Sequence, residues 1–195
     1  TVGTREATAA PTMPTIRVVR PIMTLRPVVP PPILPTPVVP LDLVSLAPSA
    51  RWINEEATVL GFGDYSEAVG SVLYGIDVVM ENGREYAQVL ATIPRAGLDS
   101  GIQGDFSVKP YFVSAGDELV VEAGLTDAAS GSNGVRLRVL LMVQNALVAS
   151  TVRGGGAATL WDVVDTYDGN LSSGRIALDP WAGQTVYFML QAQSN

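Results

Sequence analysis

Four oxygen-bearing side chains cluster in the sequence around Gly169: Asp162, Asp165, Asp168 and Asn170. Carboxylate and amide oxygens are the ligands that Ca²⁺ prefers in proteins. The spacing differs from that of an EF-hand loop, which needs alternating acids before a glycine and a closing glutamate. The sequence therefore favours a solvated acidic turn, with a structural calcium ion as the alternative. Asn170 also begins an Asn-Leu-Ser sequon, which makes it a candidate glycosylation site.

Catalytic chemistry is narrowly limited by composition, because the chain contains no histidine and no cysteine. This excludes Ser-His and Cys-His nucleophilic catalysis, imidazole and thiolate metal ligands, and disulfides. Acids are available at Asp64, Glu67, Asp77 and Glu81, but a two-carboxylate hydrolase needs a deep cleft, and nothing in their pattern separates them from surface acids. We predict that the chain is not an enzyme and needs no cofactor.

Aromatic side chains offer a binding surface of another kind. Tryptophan and tyrosine rings can stack on sugar rings, but they more often pack in cores and interfaces. Core packing is the favoured interpretation, with glycan binding as the alternative. The residues concerned are Trp52, Trp161, Trp181, Tyr65, Tyr74 and Tyr167.

Charge and hydropathy exclude further classes of protein. Only 16% of residues are charged and the net charge is −7, with a mean hydropathy of +0.27. Phosphate binding needs clustered basic residues, and the single lysine is Lys109, so we predict no nucleic-acid partner. The most apolar stretch without proline, residues 135–152, contains Arg136 and Arg138. A membrane helix needs about 20 apolar residues with few charges, so we predict no membrane span.

Proline divides the chain into an N-terminal arm, residues 1–50, and a body, residues 51–195. Eleven of the fourteen prolines lie in the arm, with only one of the nineteen glycines. Because proline fixes φ and lacks an N–H donor, the run from Pro27 to Pro40 can form neither a helix nor a central strand. We therefore expect a long, extended arm, polyproline II or edge-like in conformation.

The arm differs from a flexible linker because large apolar residues lie between its prolines, whereas disordered segments are poor in such residues. It has four basic and two acidic residues, which leaves eight basic and seventeen acidic residues for the body. The arm should therefore be buried against an acidic partner surface. The residues that we expect to make this contact are Ile16, Val18, Val19, Ile22, Met23, Leu25 and Val28, with Arg17, Arg20 and Arg26 on one polyproline II face.

The body is predicted to be all-β, because short runs rich in Val, Ile, Tyr and Phe alternate with Gly, Asn and Asp turn signals. Hairpin turns are predicted at Asn82-Gly83 and Asn133-Gly134, and another turn at Ala115-Gly116-Asp117. About eight strands in 145 residues indicate a jelly-roll-like two-sheet β-sandwich. The predicted strands are 71–80, 85–93, 102–113, 118–125, 135–141, 146–151, 174–178 and 185–192.

Three segments of the body resemble a family of bacterial extracellular jelly-roll modules, related in shape to carbohydrate-binding sandwiches. They are 134–139, the segment 161–169 with its Tyr-Asp-Gly turn, and 176–190, which contains Ala-Gly-Gln-Thr-Val-Tyr-Phe-Met-Leu. The family module continues through one more strand containing Asp-Trp, whereas this sequence ends at Asn195. The resemblance thus implies a sandwich that lacks one strand and has an exposed core groove.

A missing strand and a spare apolar arm together predict assembly, because strand addition between chains is an established mode of recognition. We expect a structural subunit of an extracellular, pilus-like filament. Each arm would insert into a neighbouring copy, and this head-to-tail contact does not close. The sequence begins at Thr1, which we interpret as a mature end after removal of an export signal. The alternative is a surface-anchored carbohydrate-binding module on a proline-rich stalk.

Overall fold

The computed structural model describes residues 40–95, 100–144 and 157–195. The predicted contact residues of the arm, from Ile16 to Val28, lie outside these ranges, as does the predicted strand 146–151. Among the described residues, a short helix α1 (Leu43–Leu46) and 3₁₀ turns accompany eleven strands, so the fold is all-β as predicted. The strands are β1 (Arg51–Asn54), β2 (Val59–Leu60), β3 (Ser71–Val79), β4 (Glu85–Ile93), β5 (Gly101–Asp105), β6 (Tyr111–Phe112), β7 (Glu118–Ala123), β8 (Val135–Val143), β9 (Ala158–Asp165), β10 (Ser172–Ala177) and β11 (Thr185–Ser194).

The first layer of the sandwich is a sheet with the order β2-β1-β5-β11-β8-β9, and β6 pairs with the start of β11. All of its ladders are antiparallel. The longest ladder joins β11 to β8, from Val186 opposite Val143 to Ser194 opposite Val135. Strand β11 is therefore central, with β5 on one side and β8 on the other.

The second layer consists of two antiparallel hairpin-like pairs, β3–β4 and β7–β10. Residues Val72, Tyr74 and Leu90 of the first pair pack with Trp52, Ile102 and Phe106 of the large sheet. In the second pair, Leu119 and Val121 pack against residues of β8 and β11, namely Val139, Leu141, Val186 and Phe188. The two pairs thus cover different parts of the large sheet.

The two halves of the core are connected at Leu190 of β11 and at Leu43 of α1, each of which packs against both clusters. Alternation along β11 explains the position of Leu190. Val186, Phe188 and Leu190 are two residues apart, so their side chains point to the same face of the sheet. The sandwich therefore has one continuous core beneath a divided second layer.

Residues 41–50, the last part of the predicted arm, also contribute to this core. The Asp42 side chain accepts a hydrogen bond from the Val44 N–H (3.0 Å) at the N-terminus of α1. Ala47 follows and is completely buried, and its carbonyl accepts a hydrogen bond from Trp52 Nε1–H (2.8 Å). Leu43 and Leu46 pack beside it. Leu41 and Leu43 also pack against the second cluster, so this segment anchors the N-terminal side of the body to both parts of the core.

The predicted strands agree well with β3, β4, β7, β8, β10 and β11. The predicted strand 102–113 is instead divided, because Asp105 accepts a hydrogen bond from the Ser107 N–H (2.8 Å) and the chain turns before Pro110. The prediction that Asn133-Gly134 closes a hairpin is wrong, because the strands on either side of it pair with other strands. Strands β1, β2 and β9 were not predicted.

Replacement of Gly104 should destabilise the fold. Gly104 lies opposite Trp52 in the β1–β5 ladder, and a Cβ atom there would overlap the indole ring. The ring cannot move away easily, because it is buried and hydrogen-bonded to Ala47. We expect Gly104→Ala to lower the free energy of unfolding in urea by about 1–3 kcal/mol. Gly131→Ala is the control, since nothing lies within 4 Å of its Cβ position; equal effects of the two substitutions would contradict the packing argument.

Candidate functional site

The β7–β10 pair, which we call the acceptor hairpin although its two strands are not consecutive in the chain, alternates between a half-buried and an exposed face. On β7, Leu119 and Val121 pack into the core, whereas Glu118, Val120 and Glu122 are exposed. Val120 has 59% of its surface exposed. An apolar side chain thus lies between two acids on the outer face of the strand.

A groove of about 400 Å³ runs along the middle of the acceptor hairpin. Its walls are three consecutive cross-strand pairs: Val120 with Arg175, Val121 with Gly174, and Glu122 with Ser173. Gly174 is required by close packing on the inner side, because a Cβ atom there would lie 2.9 Å from Cδ1 and Nε1 of the Trp161 indole. On the outer face, Ser173 is the small residue diagonally across from the exposed Val120, whose direct partner is Arg175.

The charged side chains along the groove form few and exposed contacts within the described residues. Arg175 Nη1 lies 3.2 Å from Glu118 Oε2 in an ion pair whose side chains are 72% and 51% exposed. Exposed pairs of this kind contribute at most about 1 kcal/mol. Glu122 accepts a hydrogen bond from the Tyr86 hydroxyl (3.1 Å). The outer face of β7 therefore presents two carboxylates that a basic partner can approach.

Strand edges are open in the second layer. Within residues 40–95, 100–144 and 157–195, each of β3, β4, β7 and β10 forms a ladder on one side only, apart from single bridges at Val72 and Met80. An open edge carries backbone N–H and C=O groups that can pair with another strand. The acceptor hairpin therefore combines an open edge in the described residues, a shallow groove of mixed polarity with Val120 in its wall, and acidic side chains.

A second polar cluster lies where three loops meet. The Glu81 side chain is 7% exposed and joins two of these loops: Oε1 accepts a hydrogen bond from the Leu125 N–H (2.8 Å) and Oε2 from the Asp168 N–H (3.0 Å). The Glu81 backbone N–H in turn donates to the Leu125 carbonyl (2.9 Å). A single residue after β3 thus fastens the segments that follow β7 and β9.

Asp165 completes this cluster at the end of β9. It is 5% exposed, and its Oδ1 accepts a hydrogen bond from the Ser172 hydroxyl (2.7 Å). Burial, together with the negative charges of Glu81 and Asp168, raises the pKa of Asp165 to about 6 although the bond from Ser172 acts in the opposite direction. Among the described residues, Asp165 Oδ2 is buried and has no donor.

The four candidate calcium ligands do not come together. Asp162 and Asp165 lie on opposite faces of β9, because they are three residues apart on a strand. Asp162 pairs with Arg136 through two hydrogen bonds of 2.8 and 2.6 Å, which together lower the pKa of its carboxyl. Asp168 accepts a hydrogen bond from the Asn170 N–H (2.9 Å) in the exposed turn. In the described part of the chain, no three acidic side chains form a group that could hold a metal ion.

The aromatic residues are distributed rather than aligned. Trp52 is buried in the first core cluster, and Trp161 and Trp181 pack against the second. The Tyr74 hydroxyl donates to the Val44 carbonyl (2.8 Å), and the Tyr167 hydroxyl to Asp127 (2.8 Å). Tyr65 is the exposed member of the set. The structure therefore does not gather these six rings into one platform.

Comparison with protein-family models, curated proteins and solved structures gave no match to this chain. The resemblance to extracellular jelly-roll modules therefore stays a prediction. No helix within the three described ranges has the length and apolar character needed to cross a membrane.

The acceptor hairpin and the Glu81–Asp165 pair were both missed by sequence reasoning. A signal for Asp165 was present, because alternation from Trp161 through Val163 places it on the buried face of β9. The partners of Glu81 offered no such signal, since Leu125 and Asp168 lie 44 and 87 residues away in the sequence.

Proposed function

We propose that this protein is the repeating subunit of an extracellular filament. In this proposal, residues 16–29 of one copy add as a strand to the open edge of β7 in the next copy. The contact is head-to-tail, since arm and acceptor hairpin are different surfaces, and a head-to-tail contact that does not close produces a fibre.

The open edge and groove of the acceptor hairpin support this proposal most strongly. Strand addition uses backbone hydrogen bonds for affinity and side-chain pockets for specificity. Strand β7 offers both, because in the described residues its only ladder is with β10 and the groove beside Val120 is accessible. Side chains that enter the groove would gain about 1.5–3 kcal/mol each when fully removed from water.

The composition of the arm fits this acceptor. Residues 22–26 contain no proline, so they can donate backbone hydrogen bonds, whereas residues 30–40 contain six prolines and suit a stiff connector. Arg17, Arg20 and Arg26 complement Glu118 and Glu122 on β7. Because such exposed charges are screened by salt, we assign most of the affinity to apolar burial.

Residues 30–40 supply the reach that binding to another copy requires. An extended polyproline segment advances about 3.1 Å per residue, so eleven residues span roughly 34 Å. The segment that follows is fixed to the core through Leu43, Leu46 and Ala47. In the proposed filament, a connector of this length would let the arm of one copy reach the next.

A basic residue in the groove should block assembly. We expect Val120→Lys to abolish filaments in negative-stain microscopy and in sedimentation, because it removes the apolar contact and repels the basic arm. Val164→Lys is the matched control: Val164 is an exposed valine (48%) on the edge strand β9, and this variant should assemble normally. If only Val164→Lys blocks assembly, the acceptor is β9 and the assignment to β7 is wrong; if the unaltered chain stays monomeric at high concentration, the filament proposal itself is wrong.

In the arm, substitution of an apolar residue should impair polymerisation more than substitution of a charged residue. Ile22→Asp should prevent polymerisation, since it places a charge in the apolar contact. Arg20→Ala should weaken polymerisation modestly, by no more than about 1 kcal/mol, and mainly at low salt. The critical concentration at 20 and 500 mM NaCl measures both effects. The opposite ranking would mean that the arm is held on a surface by charge and is not a donated strand.

A synthetic peptide provides an independent test of the same contact. A chain that begins at Pro40 keeps the residues that anchor the N-terminal side of the body, so it should fold without the arm. A labelled peptide of residues 15–29 should bind this truncated chain in fluorescence anisotropy, and Val120→Lys should weaken the binding at least tenfold. Equal binding by both proteins would exclude the groove.

A further inference from the structure

We propose that Glu81 and Asp165 form a proton-dependent clasp that fastens the β3–β4 turn to the segments following β7 and β9, closed when Asp165 holds a proton and weakened when that proton is lost. The proposal is independent of filament formation, because it concerns contacts within one body. It adds a regulatory role to two buried acids whose hydrogen bonds already hold these segments together.

The clasp joins three segments through a small number of bonds. Glu81 contributes its backbone N–H and both carboxylate oxygens, which engage Leu125 and Asp168. A bridge between Met80 and Thr126 extends the same junction. Asp165 connects the start of β10 to the same junction, because its carboxylate accepts a hydrogen bond from the Ser172 hydroxyl. Loss of order at Glu81 would therefore weaken the connection between the two pairs of the second layer, leaving the Tyr86–Glu122 hydrogen bond between them.

The hydrogen-bond pattern indicates which acid carries the proton. Both Glu81 oxygens accept backbone N–H bonds, an arrangement that suits the ionised form. Asp165 Oδ2 is buried beside Glu81 without a donor in the described residues. Two ionised carboxylates cannot bond to each other, so a proton on Asp165 Oδ2 that is donated to Glu81 satisfies both groups.

The surroundings provide little to stabilise a second negative charge. A Cβ atom on Gly124 would lie 2.8 Å from Glu81 Oε1 and 3.6 Å from Asp165 Oδ2, and it would overlap the Leu171 side chain, so the junction is closely packed. Asp168 adds a negative charge nearby. The titratable and charged residues on the three segments around the pair are Arg84 and Glu85 after β3, Glu122 and Asp127 on and after β7, and Tyr167 and Asp168 after β9.

The direction of the pH dependence follows from the sign of the shift. The pKa of Asp165 is raised from 3.8 to about 6, chiefly by burial, so the folded protein binds the proton more tightly than the unfolded chain does. The stability that this proton contributes is complete below pH 4 and is lost as the pH rises through about 6. The clasp is thus closed at mildly acidic pH and weakened at neutral pH.

Asp165→Asn tests the clasp, because its amide mimics the protonated acid and can donate to Glu81 at every pH. Urea unfolding of the full chain would be measured from pH 4.5 to 7.5 for the unaltered protein, for Asp165→Asn and for Glu85→Gln. The pKa of Asp165 is 3.8 in the unfolded chain and about 6 in the folded protein. Between pH 4.5 and 7.5, the unfolding constant of the unaltered protein should therefore rise roughly 25-fold relative to that of Asp165→Asn. Glu85→Gln removes an exposed acid from the same hairpin and should follow the unaltered protein. Parallel curves for Asp165→Asn and the unaltered protein would overturn the proposal.

Carbon-13 NMR of the side-chain carboxyls provides a readout that does not depend on a substitution. Asp165 should titrate near pH 6 in the unaltered chain. The Ser172 hydroxyl bond favours the ionised form, so Ser172→Ala should move this midpoint upward. Titration of Asp165 below pH 4.5 would overturn the clasp even if Asp165→Asn failed to fold. Hydrogen exchange of the Leu125 and Asp168 amides should accelerate between pH 5 and 7.5 by more than base catalysis alone produces. An increase no larger than that of base catalysis would contradict the proposed clasp.

Discussion

Packing on the inner face of β11 is the constraint on which the described structure depends. This strand is hydrogen-bonded on both sides, and its side chains at Val186, Phe188 and Leu190 form a row under the second layer. Leu190 contacts both core clusters, so the β3–β4 pair and the acceptor hairpin both rest on the same strand. Since each pair buries only part of the large sheet, neither would be expected to remain in place without this shared support.

A divided second layer has two consequences for function. Open edges are a hazard in solution because they can pair with other chains, so a protein must cover them or use them. The proposed arm contact uses the edge at β7, where an exposed valine and small residues on β10 provide a groove. The Glu81–Asp165 junction connects the two pairs where they approach each other. In our proposal, protonation of Asp165 therefore changes how firmly the second layer is held together.

Parts of the fold could be predicted from local patterns. Strand β8 begins at the predicted Val135, because apolar and charged side chains alternate from Val135 to Val139 with the two-residue period of a strand. Strand β9 was missed because its acids, Asp162 and Asp165, resembled a solvated turn. The partners of the two acids, Arg136 on β8 for Asp162 and Ser172 on β10 for Asp165, are decided only by the tertiary structure.

The sequence by itself determined the all-β class, most strand positions, the exclusion of histidine and cysteine chemistry, and the charge difference between arm and body. These properties depend on composition and on neighbours within a few residues. Only the tertiary structure decided which strands pair, which edges remain open in the described residues, and that Glu81 and Asp165 are buried together. Glu81 contacts residues 44 and 87 positions away, and contacts at such separations are set by how the layers pack, since no local pattern encodes them.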